Sequence, residues 1–354
     1  MAEQTDLRQL EMNPPTSASE QSVENEPSWL RQLLTRREIG ILGANILLFL
    51  LLTYLNQDGD VNKFTRAENL ITIIRQISLT ALLAVGMTYI IISGEIDLSI
   101  GSMFAVTGIT CGILIKEFDY NPWAALGTAT AIGVGIGMIN GLITTQLGVP
   151  SFVVTLGGLS TLRGIALGLA GGWPVAGLPQ HSFYDITGGY LVVQTDQYFS
   201  IPMQVIWMVV ILVIGAWLLD KTRFGYHILA TGSNKQAAIL AGIPVNRVKV
   251  FAFMSMGLLV GIASGLQLGF FRSFQPTSGD GLELDVIASV IIGGTNLFGG
   301  AGTIGGTLLG AIIIGMIKNG LILAGVPIYW QFVAIGIIIV LAVVVDVQIR
   351  KRQQ

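Results

Sequence analysis

Charge, cysteine and histidine are all scarce in this sequence. Of its 354 residues only 11% are Lys, Arg, Asp or Glu, against roughly a quarter in an average soluble domain. So little charge cannot cover the surface of a soluble protein of this length. A secreted enzyme, a soluble cytosolic enzyme and a nucleic-acid-binding domain are therefore excluded. One cysteine, Cys111, leaves no internal disulfide and no cysteine-based metal cluster. The two histidines, His181 and His227, lie too far apart for a spaced metal motif. The net charge of −2 offers nothing to a polyanionic partner. No GxxxxGK(S/T) loop occurs, so the chain cannot bind and hydrolyse ATP through a P-loop.

What is present is apolar: 52% of residues, with 45 glycines. Apolar stretches of membrane-spanning length recur from Ile39 onward, near 39–55, 70–92, 98–115, 122–146, 152–171, 202–219, 248–271, 284–299, 302–324 and 328–346. The expectation is an all-α polytopic membrane protein with about ten transmembrane helices. The eighth stretch is short and runs into the ninth through glycine-rich sequence. Residues 1–38 are polar and acidic, lack the apolar core of a signal peptide, and read as a disordered cytoplasmic tail with an amphipathic turn around Trp29–Leu34. The membrane domain then covers 39–349, and 350–354 form a basic cytoplasmic C-terminus.

Basic residues set the orientation. With the N-terminus inside, 12 of the 19 Lys and Arg fall on cytoplasmic segments, among them Arg36, Arg37, Lys221, Arg223, Lys235, Arg247, Lys249, Arg350 and Lys351. Only Lys63, Arg66, Lys116 and Arg272 fall outside, while Arg75, Arg163 and Lys318 lie within spans. Both termini are therefore expected in the cytoplasm, with the 220–247 loop inside and the 172–201 connection outside.

Glycines recur every four residues at 257/261/265/269, 133/137/141, 164/168/172 and 302/306/310. Residues four apart share a helix face, and bare faces let helices approach closely. Tight static packing and gating by sliding faces are both open on this pattern. Gly300–Gly305 also fits GxGxxG, but a dinucleotide site needs a preceding strand and a βαβ unit, whereas this run sits between two apolar spans.

Three stretches carry chemistry. In the first, Ser93–Gly101, Glu95 and Asp97 sit between spans two and three. Carboxylates beside a buried segment mark a pathway or an ion pair, and the flanking glycines permit an unwound backbone. Alternatively Asp97 simply caps the following helix. In the second, the inner loop 223–244, Ser233 and Gln236 have capping-box spacing. Asn234, Ala237, Ala238, Leu240 and Ala241 then form a short helix stopped by Gly242 and Pro244. Set between basic flanks, it looks like a docking element, with a surface helix lying on the membrane as the alternative. In the third, 282–310, an apolar run enters a glycine-rich bend carrying Thr295 and Asn296. It loosely echoes Val85–Asp97, and paired interrupted segments point to a midplane substrate site.

Together with Pro150–Gly158, Arg163-Gly164 and Asn319-Gly320, these stretches resemble the membrane permease of bacterial ABC sugar importers of the ribose/xylose/arabinose/galactose class. The resemblance covers about residues 65–346; the family usually has Gly where Glu95 stands. It implies a vitamin B12-importer-like architecture in the bacterial inner membrane. It also implies a pathway between two permease copies (or a copy and a close paralogue), and two ATPase domains below that bind ATP and Mg. A periplasmic or lipid-anchored sugar-binding protein would deliver ligand. By the same resemblance Ser233–Gly242 corresponds to a coupling helix in an ATPase groove, and the chain itself is not an enzyme and binds no cofactor or metal.

A neutral substrate suits the composition, because few basic residues lie within the spans. Sugar hydroxyls need amides, hydroxyls and backbone groups, so the pathway candidates on the spans are Asn140, Thr155, Ser160, Thr295 and Asn296, joined by Glu95, Asp97 and Ser99 of the first stretch. Each of the span residues also suits hydrogen bonding between packed helices. The competing class, an ion-coupled secondary transporter of a small neutral solute, would use Glu95 or Asp97 as its coupling acid.

Overall fold

A computed structural model describes residues 37–58, 61–193 and 199–351. The N-terminal tail, with its amphipathic turn, and residues 352–354 lie outside the described residues. The chain is almost entirely helical: α1 Arg37–Leu55, α2 Ala67–Ile92, α3 Ile100–Lys116, α4 Pro122–Gln146, α5 Ser151–Leu169, α6 Phe183–Thr187, α7 Met203–Lys221, α8 Arg223–Ser233, α9 Lys235–Leu240, α10 Val245–Phe271, α11 Leu282–Ile292, α12 Ile304–Leu323 and α13 Ile328–Lys351. Three short antiparallel strand pairs decorate the connections: β1 Gln57–Asp58 with β2 Val61–Asn62, β3 Val175–Ala176 with β6 Ser273–Phe274, and β4 Tyr190–Val193 with β5 Phe199–Pro202.

Every apolar stretch read from the sequence contains a helix, but they are unequal. Among the described residues, seven helices (α1, α2, α4, α5, α7, α10 and α12) are long and apolar enough to cross a membrane. α3 is shorter, and α11 has only 11 residues because the chain leaves the helix at Gly293. At about 1.5 Å per residue α11 reaches roughly half of a hydrocarbon core. The apolar run 284–299 is therefore half helix and half glycine bend, not one span.

Local chemistry sets the ends. Pro122 occupies the first position of α4, where its missing N–H costs nothing, and Asn121 accepts a hydrogen bond from Trp123 N at 2.9 Å. Thr303 caps α12 by accepting from Gly306 N at 3.0 Å. α2 and α10 are the most buried spans, whereas α1 and α5 expose most of their surface.

The glycine pattern resolves into two close helix contacts. α4 and α10 pack face to face: a Cβ on Gly257 would collide with the Gly133 carbonyl, one on Gly133 with that of Gly257, and one on Gly137 with that of Phe253. Gly306 and Gly310 of α12 meet Gly293 and Ser289 in the same way. Side-chain removal brings these backbones together, and dispersion between them then replaces contacts with lipid. Gly164 and Gly168 differ: among the described residues, a Cβ there would meet nothing within 4 Å.

Candidate functional site

The three stretches singled out in the sequence converge at one end of the bundle. The backbone N–H of Gly300, in the bend after α11, donates to the carbonyl of Ile92, the last residue of α2, at 2.9 Å. Gly232, near the end of α8, lies against both, so that a Cβ there would strike Ile92 O and Gly300 N. Ser233 Oγ donates to Gly300 O at 3.3 Å. The loop carrying the docking element is thus seated directly on the two backbone breaks.

Those breaks are built alike. α2 ends with Gly94 at φ +81°, Gly94 N donating to Ile91 O and Glu95 N to Ile90 O. α11 ends with Gly294 at φ +84°, Gly294 N donating to Ile291 O and Thr295 N to Val290 O. Both are Schellman caps, in which only glycine takes the left-handed turn without strain. An Asx turn follows each: Asp97 Oδ1 accepts from Ser99 N at 2.8 Å, and Asn296 Oδ1 from Phe298 N at 2.7 Å. A new helix then starts at Ile100 in one case and Ile304 in the other. The weak sequence echo between the two stretches is a real structural correspondence. α2 and α12 are also joined by the buried Thr88–Thr307 hydroxyl pair at 2.8 Å.

Around the first break, four of the sequence candidates come together. Ser99 Oγ donates to Asp97 Oδ1 at 2.6 Å and accepts from Asn140 Nδ2 of α4 at 3.0 Å. Ser151 Oγ accepts from Ile96 N at 3.2 Å, and Thr155 Oγ1 donates to Ser151 O at 2.8 Å. Asp97 is fully buried, and burial pushes its carboxyl above the usual range against the two bonds from Ser99 that pull it down. Asp97 therefore shapes the turn and does not cap α3, whose N-cap is Ser99. Glu95 leaves this cluster and pairs with Lys249 of α10.

Other candidates fall elsewhere. Thr295 is buried in the second bend, its hydroxyl without a hydrogen-bond partner, beside half-buried Asn296. Ser160 is exposed on α5, on the same side of the chain as the open Gly164 and Gly168, and takes no part in the cluster.

The docking element differs from its expected form in two ways. Ser233 is the last residue of α8, so the expected Ser233–Gln236 capping box does not form. Asn234 is the cap of α9, accepting from Ala237 N at 3.0 Å. Gly242, at φ +78°, closes the helix as expected, with Ile243 N donating to Ala238 O. Secondly, Ala238 is not on the outer face: it is turned into the protein at 4% exposure, while Leu240 stands out at 89%. Gln236, Ala237, Ala241 and Gly242 share that exposed surface. The partner-facing residue is the large apolar one, because a six-residue helix packed through Ala238 must aim Ile239 and Leu240 outward.

Two further residues of the site were not singled out in the sequence. Lys249 reads there as one more cytoplasmic charge; its i+4 relation to Val245 on the buried face of α10 was the available signal. Tyr89 hides within an apolar run, yet its hydroxyl donates to Gly215 O of α7 at 2.8 Å and its ring meets Phe224 of α8 edge-on at 5.5 Å. It ties the docking loop to α2.

The family described as "Branched-chain amino acid transport system / permease component" matches residues 69–343. The chain belongs to this family. It is accordingly a permease component of the bacterial inner membrane, not itself an enzyme. Among its relatives, the ribose import permease protein RbsC of Escherichia coli (strain K12) is 39% identical over 80% of this chain and 87% of its own. The counterpart in Bacillus subtilis (strain 168) is 38% identical over 80% and 86%. The xylose transport system permease protein XylH of Haemophilus influenzae (strain ATCC 51907 / DSM 11121 / KW20 / Rd) is 32% identical over 82% and 91%. No solved structure matches the chain.

Proposed function

We propose that this permease forms the membrane pathway of an ABC importer for a monosaccharide. The family title speaks of branched-chain amino acids, but the relatives that share most of this chain are named for ribose and xylose. The 39% identity to a ribose permease over 80% of the chain is the observation that carries the reading. The break cluster of Asp97, Ser99, Asn140 and Thr155 offers a carboxylate, hydroxyls and an amide but no cationic side chain that would hold an amino-acid carboxylate.

In this account ATP and Mg bind to two partner ATPase domains, and a binding protein delivers sugar from the other side. α9 is the coupling helix, with Leu240 entering an apolar groove of the ATPase. Movement of α9 is passed through Gly232 and Ser233 to the two breaks at Gly94 and Gly294, where short unwound segments can shift without melting a helix. A second copy packs on the open α5 face at Ser160, Gly164 and Gly168, which puts the pathway between copies. Both termini face the cytoplasm, as the basic-residue bias supports. Affinity purification of the tagged full chain, co-expressed with the ATPase encoded beside it, is expected to yield both proteins. A permease that purifies alone under conditions preserving other such complexes contradicts the reading.

A further inference from the structure

Opposite the break cluster, at the other end of the bundle, a cavity of about 400 Å³ opens between α2, α7, α10, α11, α12 and α13. This lies within the range of small-molecule sites. Thr80 on its wall and Ile92 at the break are twelve positions apart on α2, or roughly 18 Å along the helix axis. The cavity is therefore a separate place from the cluster already described.

Its lining is largely apolar but carries several amides and a hydroxyl. Gln204, Gln267 and Gln331, each from a different helix, join Thr80 on the wall. Gln204 is the most informative of them. It is only 2% exposed, and its side-chain carbonyl oxygen has no hydrogen-bond partner among the described residues. A buried amide carbonyl left unpaired is costly, so its presence in the first turn of an apolar helix calls for a ligand.

Both carboxylates of the lining are already paired. Lys318 pairs with Asp285 at 2.5 Å, Asp280 pairs with Arg163 at 2.5 Å, and Arg75 lies over the Phe270 ring at 3.8 Å. A cationic ligand would have to break one of the two ion pairs. Amides and a hydroxyl both donate and accept, which is what sugar hydroxyls require, and the Phe332 ring offers an apolar wall for C–H groups.

We propose that this intrasubunit cavity binds a neutral polyhydroxylated ligand of monosaccharide size, with Gln204 Oε1 accepting from one of its hydroxyls. The inference rests on the sugar-importer reading and adds a site within each permease copy, apart from the pathway between copies.

The test uses the full-length permease in lipid nanodiscs and equilibrium dialysis with labelled ribose, xylose, galactose, fructose and myo-inositol. Binding of at least one is expected. Gln204→Leu should weaken that binding roughly five- to tenfold, as loss of a single hydrogen bond does, while leaving the melting temperature equal or higher because the orphaned acceptor is gone. A residue with a merely structural role would lower the melting temperature on substitution instead. Gln267→Leu should weaken binding in the same direction, and ribose 5-phosphate should not compete. No binding by any probe, unchanged binding in Gln204→Leu, or a co-purified phospholipid filling the cavity would overturn the proposal. If ATP-driven sugar uptake by the complete system persists in those cases, only the cavity assignment falls. If uptake itself fails to require ATP, the importer reading has failed first.

Discussion

Lys249, in the second turn of α10, forms a nearly buried ion pair with Glu95, the residue that follows the break at the end of α2. The pair fastens the first break to the helix that directly follows α9. α10 and the first break are thus held together by a charge contact. It also accounts for a carboxylate beside the break. Neither side chain is left as an unoccupied proton or sodium ligand.

The pair makes a prediction about stability. Removing one partner strands a buried charge, which costs on the order of 3 kcal/mol. Glu95→Gln and Lys249→Met are each expected to lower the melting temperature of the purified permease. The double variant should recover most of that loss, since two neutral groups of similar size replace the pair. Additive losses would mean that the two residues do not act together.

At α9, Leu240→Asp should abolish ATPase co-purification while the permease inserts and melts normally, because Leu240 is exposed in this chain and its burial happens only against a partner. Ala238→Asp should behave differently. There the charge is forced into the permease itself, costing several kcal/mol, and yield should drop before any effect on docking can be measured. Equal behaviour of the two variants would remove α9 from the coupling role.

The same contrast shows what sequence could reveal. Helical content, the ends of most helices and the short helix before Gly242 were legible, because apolar runs, caps and glycine stops act locally. The inward turn of Ala238 was not, since which face of a short helix is buried depends on α8 and α10, which arrive from elsewhere in the chain. Asp97 and Ser99 were legible as a turn, but their link to Asn140 and Ser151 depends on tertiary packing. Gln204 was visible as a lone amide in an apolar run; only the assembled cavity gives it a meaning. The seven long helices were easy to place, whereas α11 shared its apolar run with a bend that hydropathy does not distinguish from helix.

Asp97 should respond to acid in a defined direction. Its carboxyl lies above the usual range when folded, so folding favours the protonated form. The stabilisation from that proton is present at pH below the unfolded value and is lost as pH rises through the folded one. Asp97→Asn keeps the turn through its carbonyl oxygen and should retain transport, with a flatter dependence of melting temperature on pH. Asp97→Ala loses the Ser99 contacts and should lose most transport. Equal loss of transport in both variants would assign Asp97 a role beyond shaping the turn.

Glycine positions separate packing within the chain from packing between copies. Gly257→Leu should prevent folding, because its Cβ collides with the Gly133 backbone. Gly164→Leu should fold, since that position is open, but should lower recovery of paired permeases. Cysteine at position 164 in a Cys111→Ser background is expected to cross-link two copies in membranes. Efficient pairing of the Gly164→Leu variant, with no cross-link at 164, would move the interface off α5.

The central claim is that sugar crosses through this permease under power supplied by a separate ATPase. Uptake of labelled ribose and xylose into proteoliposomes holding the permease, its ATPase and the sugar-loaded binding protein tests it most directly. The account predicts uptake that requires ATP and Mg, survives collapse of proton and sodium gradients, and disappears in Leu240→Asp. Uptake that follows an ion gradient without ATP, and is unaffected by Leu240→Asp, would contradict it.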